Sequence, residues 1–296
     1  MDVSIIIVNY NTYKYTAKCI DSVIRFTKGV NYQIILVDNA STECSPDVFK
    51  QEFPAIELIK SEVNSGFTGG NNLGIEKAKG DYILLLNSDT ELTEDSISTC
   101  VNFLKIHQKI GVVTCKLLYP DGTIQKQCQR FPSIKLALLE LFRLHKLIPQ
   151  PKRGALLQGG FFDHLTSIYC DSVWGAFFMF PKKILNQFEG NKLPGDIFMY
   201  AEDMLWCYAI KQMGYKVYYN AETAVIHHMG ASAQPSVLVH KHQNEYDIIV
   251  KYSGTLYAKA LMFLRGLLYS THTGRQGYAS QVARLSFNLF FKGKAA

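Results

Sequence analysis

Apolar runs alternate with helix-compatible stretches along the first hundred residues. Val3 to Val8, Ile34 to Val37 and Tyr82 to Leu86 are short and rich in aliphatic side chains. That is the pattern of strands buried on both faces of a parallel sheet. Residues 13–27 and 70–79 lie between them with helical composition, 93–108 follows the third run, and 56–60 reads as a weaker strand. The β-α-β-α-β-α-β order predicts an α/β fold with a mainly parallel central sheet and right-handed crossovers. Val112 to Leu118 adds a strand, closed by the turn signal Pro120-Asp121-Gly122.

The pattern loosens from 119 to 175. Residues 134–147 fit an amphipathic helix, and 150–165 a polar, glycine-containing loop. Ile197 to Met213 reads as a strand end entering a helix, with strands at Lys216 to Tyr219 and Ala224 to His227. Val237 to Tyr252 is a helix broken by Ser253-Gly254, and Leu256 to Tyr269 is apolar on almost every side except at Lys259 and Arg265. Fourteen residues are too few to span a bilayer, which needs about 20. The expected division is a domain at 1–235 and a helical, basic extension at 236–296.

Charge sharpens that division. From Ser236 to Ala296 eight Lys or Arg face two acids, Glu245 and Asp247, which is the whole net charge of +6. An anionic membrane surface is the expected partner of the extension, with a helix packed on the catalytic domain or on a second subunit as the bland alternative. With 48% hydrophobic residues in 296, a large core is expected and disorder is not. Met1-Asp2 runs straight into a strand, so no secretory leader is expected. The seven cysteines are scattered without a CxxC pair, which suits a reducing cytoplasm and argues against zinc or a disulfide framework.

Candidate chemistry collects where strands end. Tyr82 to Leu86 stops at Asn87-Ser88-Asp89, placing a carboxylate at the carboxyl edge of the sheet, where open α/β sheets bind ligands. Asp89 there suits a divalent cation held against phosphate; an Asn/Asp turn capping the next helix is the plainer reading. Asn9-Tyr10-Asn11-Thr12 and Asp38-Asn39-Ala40-Ser41-Thr42 close the first two strands, and Asn64 to Gly74 holds four glycines. Small polar side chains suit a nucleobase and ribose, and glycines let backbone approach a ligand. A dinucleotide-binding Rossmann domain would need its GxGxxG after the first strand, and that turn has no glycine.

These motifs, in this order, resemble family 2 glycosyltransferases, and most closely the bacterial rhamnosyltransferase-like branch. The likeness continues through Trp174-Gly175-Ala176, Phe198 to Asp203 and Val225 to Ser232, so it covers residues 3 to 232. It implies a GT-A fold, a nucleotide-sugar donor and transfer with inversion; the expectation is a UDP- or dTDP-sugar and a growing cell-surface glycan, and the basic tail points to a lipid-linked one. The place of action would be the cytoplasmic face of the membrane, with a homodimer compatible and no nucleic-acid partner. By position, Asn9, Tyr10, Asn11, Asp38, Asn39 and Ser41 would hold base and ribose. Asn64, Gly66, Phe67, Gly70, Asn71, Asn87 and Ser88 would border the nucleotide, and Trp174 and Gly175 the acceptor. Asp89 would bind Mg²⁺ or Mn²⁺, with His227 as a further ligand or a diphosphate contact. Asn87 replaces the first acid of the family's DxD-type motif, which leaves one carboxylate.

Transfer from a nucleotide sugar builds negative charge on the leaving diphosphate and frees a proton from the acceptor hydroxyl. Asp203 is the expected base, with Glu202 second, since neighbours on a helix point about 100° apart. The usual x-Asp-Leu after Glu-Asp is here Met204-Leu205-Trp206. Two rivals remain at this stage: a sugar-phosphate nucleotidyltransferase, which lacks its early basic glycine loop here, and a non-catalytic nucleotide-sugar binder.

Overall fold

Two helices show how this sequence covers a sheet. Thr16, Cys19, Ile20 and Val23 are buried on one, and Ile97, Cys100, Val101 and Leu104 on the other, each the i, i+3, i+4, i+7 stripe of a helix lying on a core. Asp95 caps the second by accepting the Ser98 N–H at 3.1 Å. The computed structural model describes residues 1–195, 197–228, 237–271 and 276–293.

In chain order the elements are β1 (Val3–Asn9), α1 (Tyr13–Phe26), β2 (Tyr32–Asn39), α2 (Asp47–Glu52), β3 (Glu57–Ser61), α3 (Gly66–Lys77) and β4 (Tyr82–Asn87). There follow β5 (Thr90–Leu92), α4 (Ser96–Ile106), β6 (Ile110–Leu118), α5 (Ile134–Leu141), α6 (Lys152–Leu157), β7 (Ile168–Cys170) and β8 (Phe177–Pro181). The last are α7 (Glu202–Gln212), β9 (Lys216–His227), α8 (Val237–Ser253), α9 (Thr255–Ser270) and α10 (Gln276–Lys292). The chain forms two compact units, Met1–Gln129 with Asp163–Ala233, and Arg130–Phe162 with Gln234–Ala296.

The first unit holds the sheet, in the order β3-β2-β1-β4-β8-β6-β9-β5, with β7 beside β9. β1 to β4 run parallel, as the sequence predicts, and β8 lies antiparallel between β4 and β6. Ile5, Ile7, Leu84, Leu86, Phe177 and Met179 are fully or almost fully buried in its core. Lys216 to Tyr219 and Ala224 to His227 are one strand rather than two, since β9 pairs with β6 throughout and absorbs the extra residues between Asn220 and Ala224 as a bulge. No strand forms at Ile197; Tyr200 and Ala201 both adopt φ of +71° just before α7, which ends extended structure there.

The second unit is helical. Ala137, Tyr246, Ile249, Ala258, Leu261, Met262 and Leu289 form its core, so much of the apolar surface of α9 is spent inside the unit. Residues 150–165 are not a plain loop: α6 forms because Arg130 donates to the Leu156 and Ala155 carbonyls at 3.1 and 2.8 Å, satisfying its last turn. The expected boundary near 235 falls outside the described residues. Among the described residues no helix is long and apolar enough to cross a membrane.

Candidate active site

Register brings the strand-end residues into one row. Asn9 pairs with Asp38, and Val8 with Asn87. Asn9 is the hub: its Nδ2 donates to Asp38 Oδ1 at 2.8 Å and to Ser41 Oγ at 2.9 Å. Its Oδ1 accepts from the Thr12 and Thr16 hydroxyls at 3.0 and 2.8 Å. Asp38 is buried, and its other oxygen accepts the Ser41 N–H at 3.2 Å. Asn9, Asp38 and Ser41 therefore clasp two strand ends together. Tyr10 and Asn11 stay exposed, and Asn11 Oδ1 accepts the Thr42 N–H at 2.7 Å to tie the two loops. Ser88 joins them through Thr12, hydroxyl to hydroxyl at 3.1 Å.

Asn39 organises the glycine segment. Its Nδ2 donates to Asn64 Oδ1 at 2.9 Å and the Gly66 carbonyl at 3.1 Å. Gly66 has φ of +73°, and a Cβ on it would lie 2.2 Å from the Phe198 carbonyl oxygen. Phe67 donates its N–H to that same oxygen at 3.1 Å. A Cβ on Gly70 would meet Val8 at 2.8 Å, and Asn71 is buried with its Nδ2 on the Phe67 carbonyl at 2.9 Å. These glycines are thus explained by the close packing of α3 on β1 and on residue 198. Gly70 and Asn71 sit inside that packing rather than on an open surface.

Asp89 and His227 meet because β5 pairs antiparallel with β9, Thr90 opposite His227. His227 Nε2 lies 3.4 Å from Asp89 Oδ1 and 3.4 Å from Asn87 Nδ2. Its Nδ1 is 2.8 Å from Gln125 Oε1, while Gln125 Nε2 donates to the His227 carbonyl at 2.7 Å. The amide orientation makes Gln125 Oε1 an acceptor, so Nδ1 carries a proton, and in the neutral ring Nε2 then holds a lone pair on the side of Asp89. Asn87 Oδ1 is buried there without a hydrogen-bond partner. A carboxylate and an imidazole nitrogen meet here, beside the amide that carries the orphaned Asn87 oxygen, and these are donor types suited to a divalent cation. Among the described residues no group of three His, Cys, Asp or Glu converges; here an amide stands in for the third. His228 points the other way, its Nε2 3.4 Å from Glu91 and its ring 5.3 Å from that of Tyr15.

A short bridge links this edge to Asp203. The Asn87 N–H donates to the Ala176 carbonyl at 3.0 Å, and next door the Gly175 N–H donates to Asp203 Oδ2 at 3.2 Å. Asp203 Oδ1 accepts the Met204 N–H at 2.7 Å, in the first turn of α7 where the helix dipole favours an anion. Glu202, beside it, is buried, and Asp203 is half-buried. A Cβ on Gly175 would lie 3.1 Å from the Phe67 ring and 3.8 Å from Asp203 Cβ. Phe67 stacks on Trp206 at 6.0 Å, and the Trp206 indole donates to the Pro194 carbonyl at 3.1 Å. Trp174 is partly buried against the core.

Gln125 and Thr16 are not among the candidates the sequence offers, and Thr12 stands there only within the polar run after the first strand. Gln125 follows a turn and carries no local signal; the two threonines look like ordinary helix-start residues. The seven cysteines are free thiols, and burial pushes Cys19, beside Thr90, up to about 12, which suits packing rather than chemistry.

Residues 4–187 match the model of Glycosyl transferase family 2. The chain belongs to this family. It is 35% identical over 113 residues to the poly(ribitol-phosphate) beta-glucosyltransferase of Bacillus spizizenii, covering 36% of this chain and 18% of that protein. It thus matches less than a fifth of that relative's length. A mannosyltransferase from Pyrobaculum calidifontis, solved with GDP-Man and Mn²⁺, superposes with a TM-score of 0.61 at 11% identity, covering 99% of this chain and 88% of that one. S. aureus TarS residues 1–349 with UDP gives 0.54 at 16%, covering 94% and 74%. The fold of this family 2 member is GT-A.

Proposed function

We propose that the protein is an inverting, metal-dependent glycosyltransferase moving a hexosyl or deoxyhexosyl group from a UDP- or dTDP-linked donor to a cell-surface glycan. The acceptor is lipid-linked and met at the cytoplasmic face of a bacterial membrane. The observation that carries this reading is the bridge through Ala176 and Gly175, which sets Asp203 beside the strand edge bearing Asn87 and Asp89. Relatives support the substrate class: one is named for poly(ribitol-phosphate), and two structural neighbours hold a nucleotide or nucleotide sugar. The deoxyhexosyl option rests on the motif likeness to the rhamnosyltransferase-like branch.

In this reading Tyr10 and Asn11 contact the nucleoside, while Asn9, Asp38, Asn39 and Asn64 hold the loops that receive it. Mg²⁺ or Mn²⁺, held by Asp89, His227 Nε2 and Asn87 Oδ1, would supply Lewis-acid stabilisation of the charge growing on the departing diphosphate. Two backbone N–H bonds fix the Asp203 carboxylate, which takes the proton from the acceptor hydroxyl as it attacks. Trp174 and Gly175 would border the acceptor beside Asp203, with Phe67 packed close against the Gly175 backbone. One displacement with one base inverts the anomeric carbon.

Purified protein with Mn²⁺, screened against a panel of nucleotide sugars, tests the proposal. Release of UDP or dTDP from one donor supports it. Silence across the panel, or pyrophosphate release from NTP and sugar phosphate, rejects it.

A further inference from the structure

The end of α5 presents an unusual surface. Phe142 is 65% exposed, Leu144 46% and Leu147 80%, three large apolar side chains within six residues. The last two lie three apart on a 3₁₀ turn, Leu144–Leu147, where side chains at i and i+3 eclipse. They therefore project together.

The backbone holds them there. α5 ends with the Phe142 N–H on the Leu138 carbonyl at 3.0 Å, and Arg143 turns left-handed with φ of +55°. His145 fastens the turn inward, its Nδ1 3.3 Å from the Leu139 carbonyl and its ring edge-on to Phe161 at 5.1 Å. Gln150 continues the clasp, donating to the Phe161 carbonyl and accepting the Gly154 N–H, each at 3.1 Å. This is a built protrusion.

Its charge has one sign. From Leu141 to Phe162 there are Arg143, Lys146, Lys152 and Arg153, with no Asp or Glu. Among the described residues Arg143, Lys146 and Lys152 form no ion pair. Exposed leucine and phenylalanine interleaved with unpaired cations suit a surface that is anionic above and apolar beneath. A protein partner would need acids and an apolar pocket alternating at the same spacing; an anionic bilayer offers both everywhere.

We propose that residues 142–153 form a membrane-insertion spike, with Phe142, Leu144 and Leu147 entering the acyl boundary and Arg143, Lys146 and Lys152 lying on anionic headgroups. This is a separate contact from the one expected through α9, which buries Leu261 and Met262 but leaves Leu256, Phe263 and Leu267 exposed. The inference deepens the membrane half of the proposed function. Its readout involves no sugar transfer, so either can fail alone.

The full chain is sedimented with phosphatidylcholine vesicles and with vesicles half phosphatidylglycerol. Wild type is expected to bind the anionic vesicles and to spare the neutral ones. Leu144→Ser with Leu147→Ser is expected to lower partitioning about ten-fold or more. Arg143→Ser with Lys146→Ser should lower it about five-fold per charge, an effect that fades at high salt. The side chains altered are exposed, so thermal melts should match wild type; should the leucine variant melt lower, the arginine–lysine variant and salt titration decide. Equal binding to both vesicle types, no binding at all, or wild-type binding by both variants overturns the proposal. So does a lipid-free dimer that the leucine variant dissolves, which would make the face a contact between copies.

Discussion

Gln125 decides what His227 can do. Holding Nδ1–H fixes the tautomer that turns Nε2 toward Asp89, and a partner of this kind typically changes metal affinity 10- to 100-fold. Gln125→Met is therefore expected to raise the Mn²⁺ concentration at half-saturation by about that factor, read by calorimetry as well as by donor turnover. Unchanged Mn²⁺ binding would leave Gln125 a packing residue. The sequence made Asn9, Asp38, Asn87 and Asp89 legible, because each ends an apolar run and strand register fixes its edge. It hid Gln125, whose role exists only through a contact 102 positions away, and it offered Gly70 and Asn71 as ligand contacts, where Gly70 packs on Val8 and Asn71 is buried against the Phe67 carbonyl. Glycine next to a strand looks alike in both cases.

Among elements, α3 shows the cost of that packing. Gly66→Ala would place a Cβ against the Phe198 carbonyl while forcing alanine to φ of +73°. The left-handed conformation alone costs about 1–2 kcal/mol, so the urea midpoint should fall by at least that equivalent. Because residue 198 leads into the left-handed pair Tyr200 and Ala201 before α7, the substitution is also expected to lower turnover through Asp203. A variant as stable and active as wild type would show that this turn yields freely. The parallel strands β1, β2 and β4 were readable from apolar runs. β5 was not: Thr90-Glu91-Leu92 is too short to signal a strand, and the same residues imitate a helix start. Yet this strand brings Asp89 to His227. α6 was missed for a similar reason, since the guanidinium that caps it lies more than twenty positions upstream.

At the level of the whole molecule, acid stability should be set in part within the helical unit. Burial by itself would raise Glu245, but the Arg265 guanidinium, 2.7 Å away, together with Lys241 and His242 outweighs it and holds the carboxyl at about 2, against an ordinary 4.5. A depressed carboxylate contributes stability fully above its unfolded value, and loses it as pH falls from about 4.5 through about 2. The contribution is on the order of 3 kcal/mol. Melting temperature should therefore drop across that window, and Glu245→Gln should lower stability at neutral pH while flattening this part of the profile. A wild-type profile in Glu245→Gln would contradict the pair's role. The basic, apolar character of the extension was visible in composition, but its grouping with residues 130–162 needed contacts distant in sequence.

In the proposed reaction Asp203 removes the acceptor proton beside a separate donor-holding edge. Turnover and donor affinity of Asp203→Asn, compared with wild type on the donor that the screen identifies, test it most directly. Donor affinity is expected to stay within about two-fold and turnover to fall by about 10²- to 10⁴-fold. An Asp203→Asn protein that transfers sugar at the wild-type rate would contradict it.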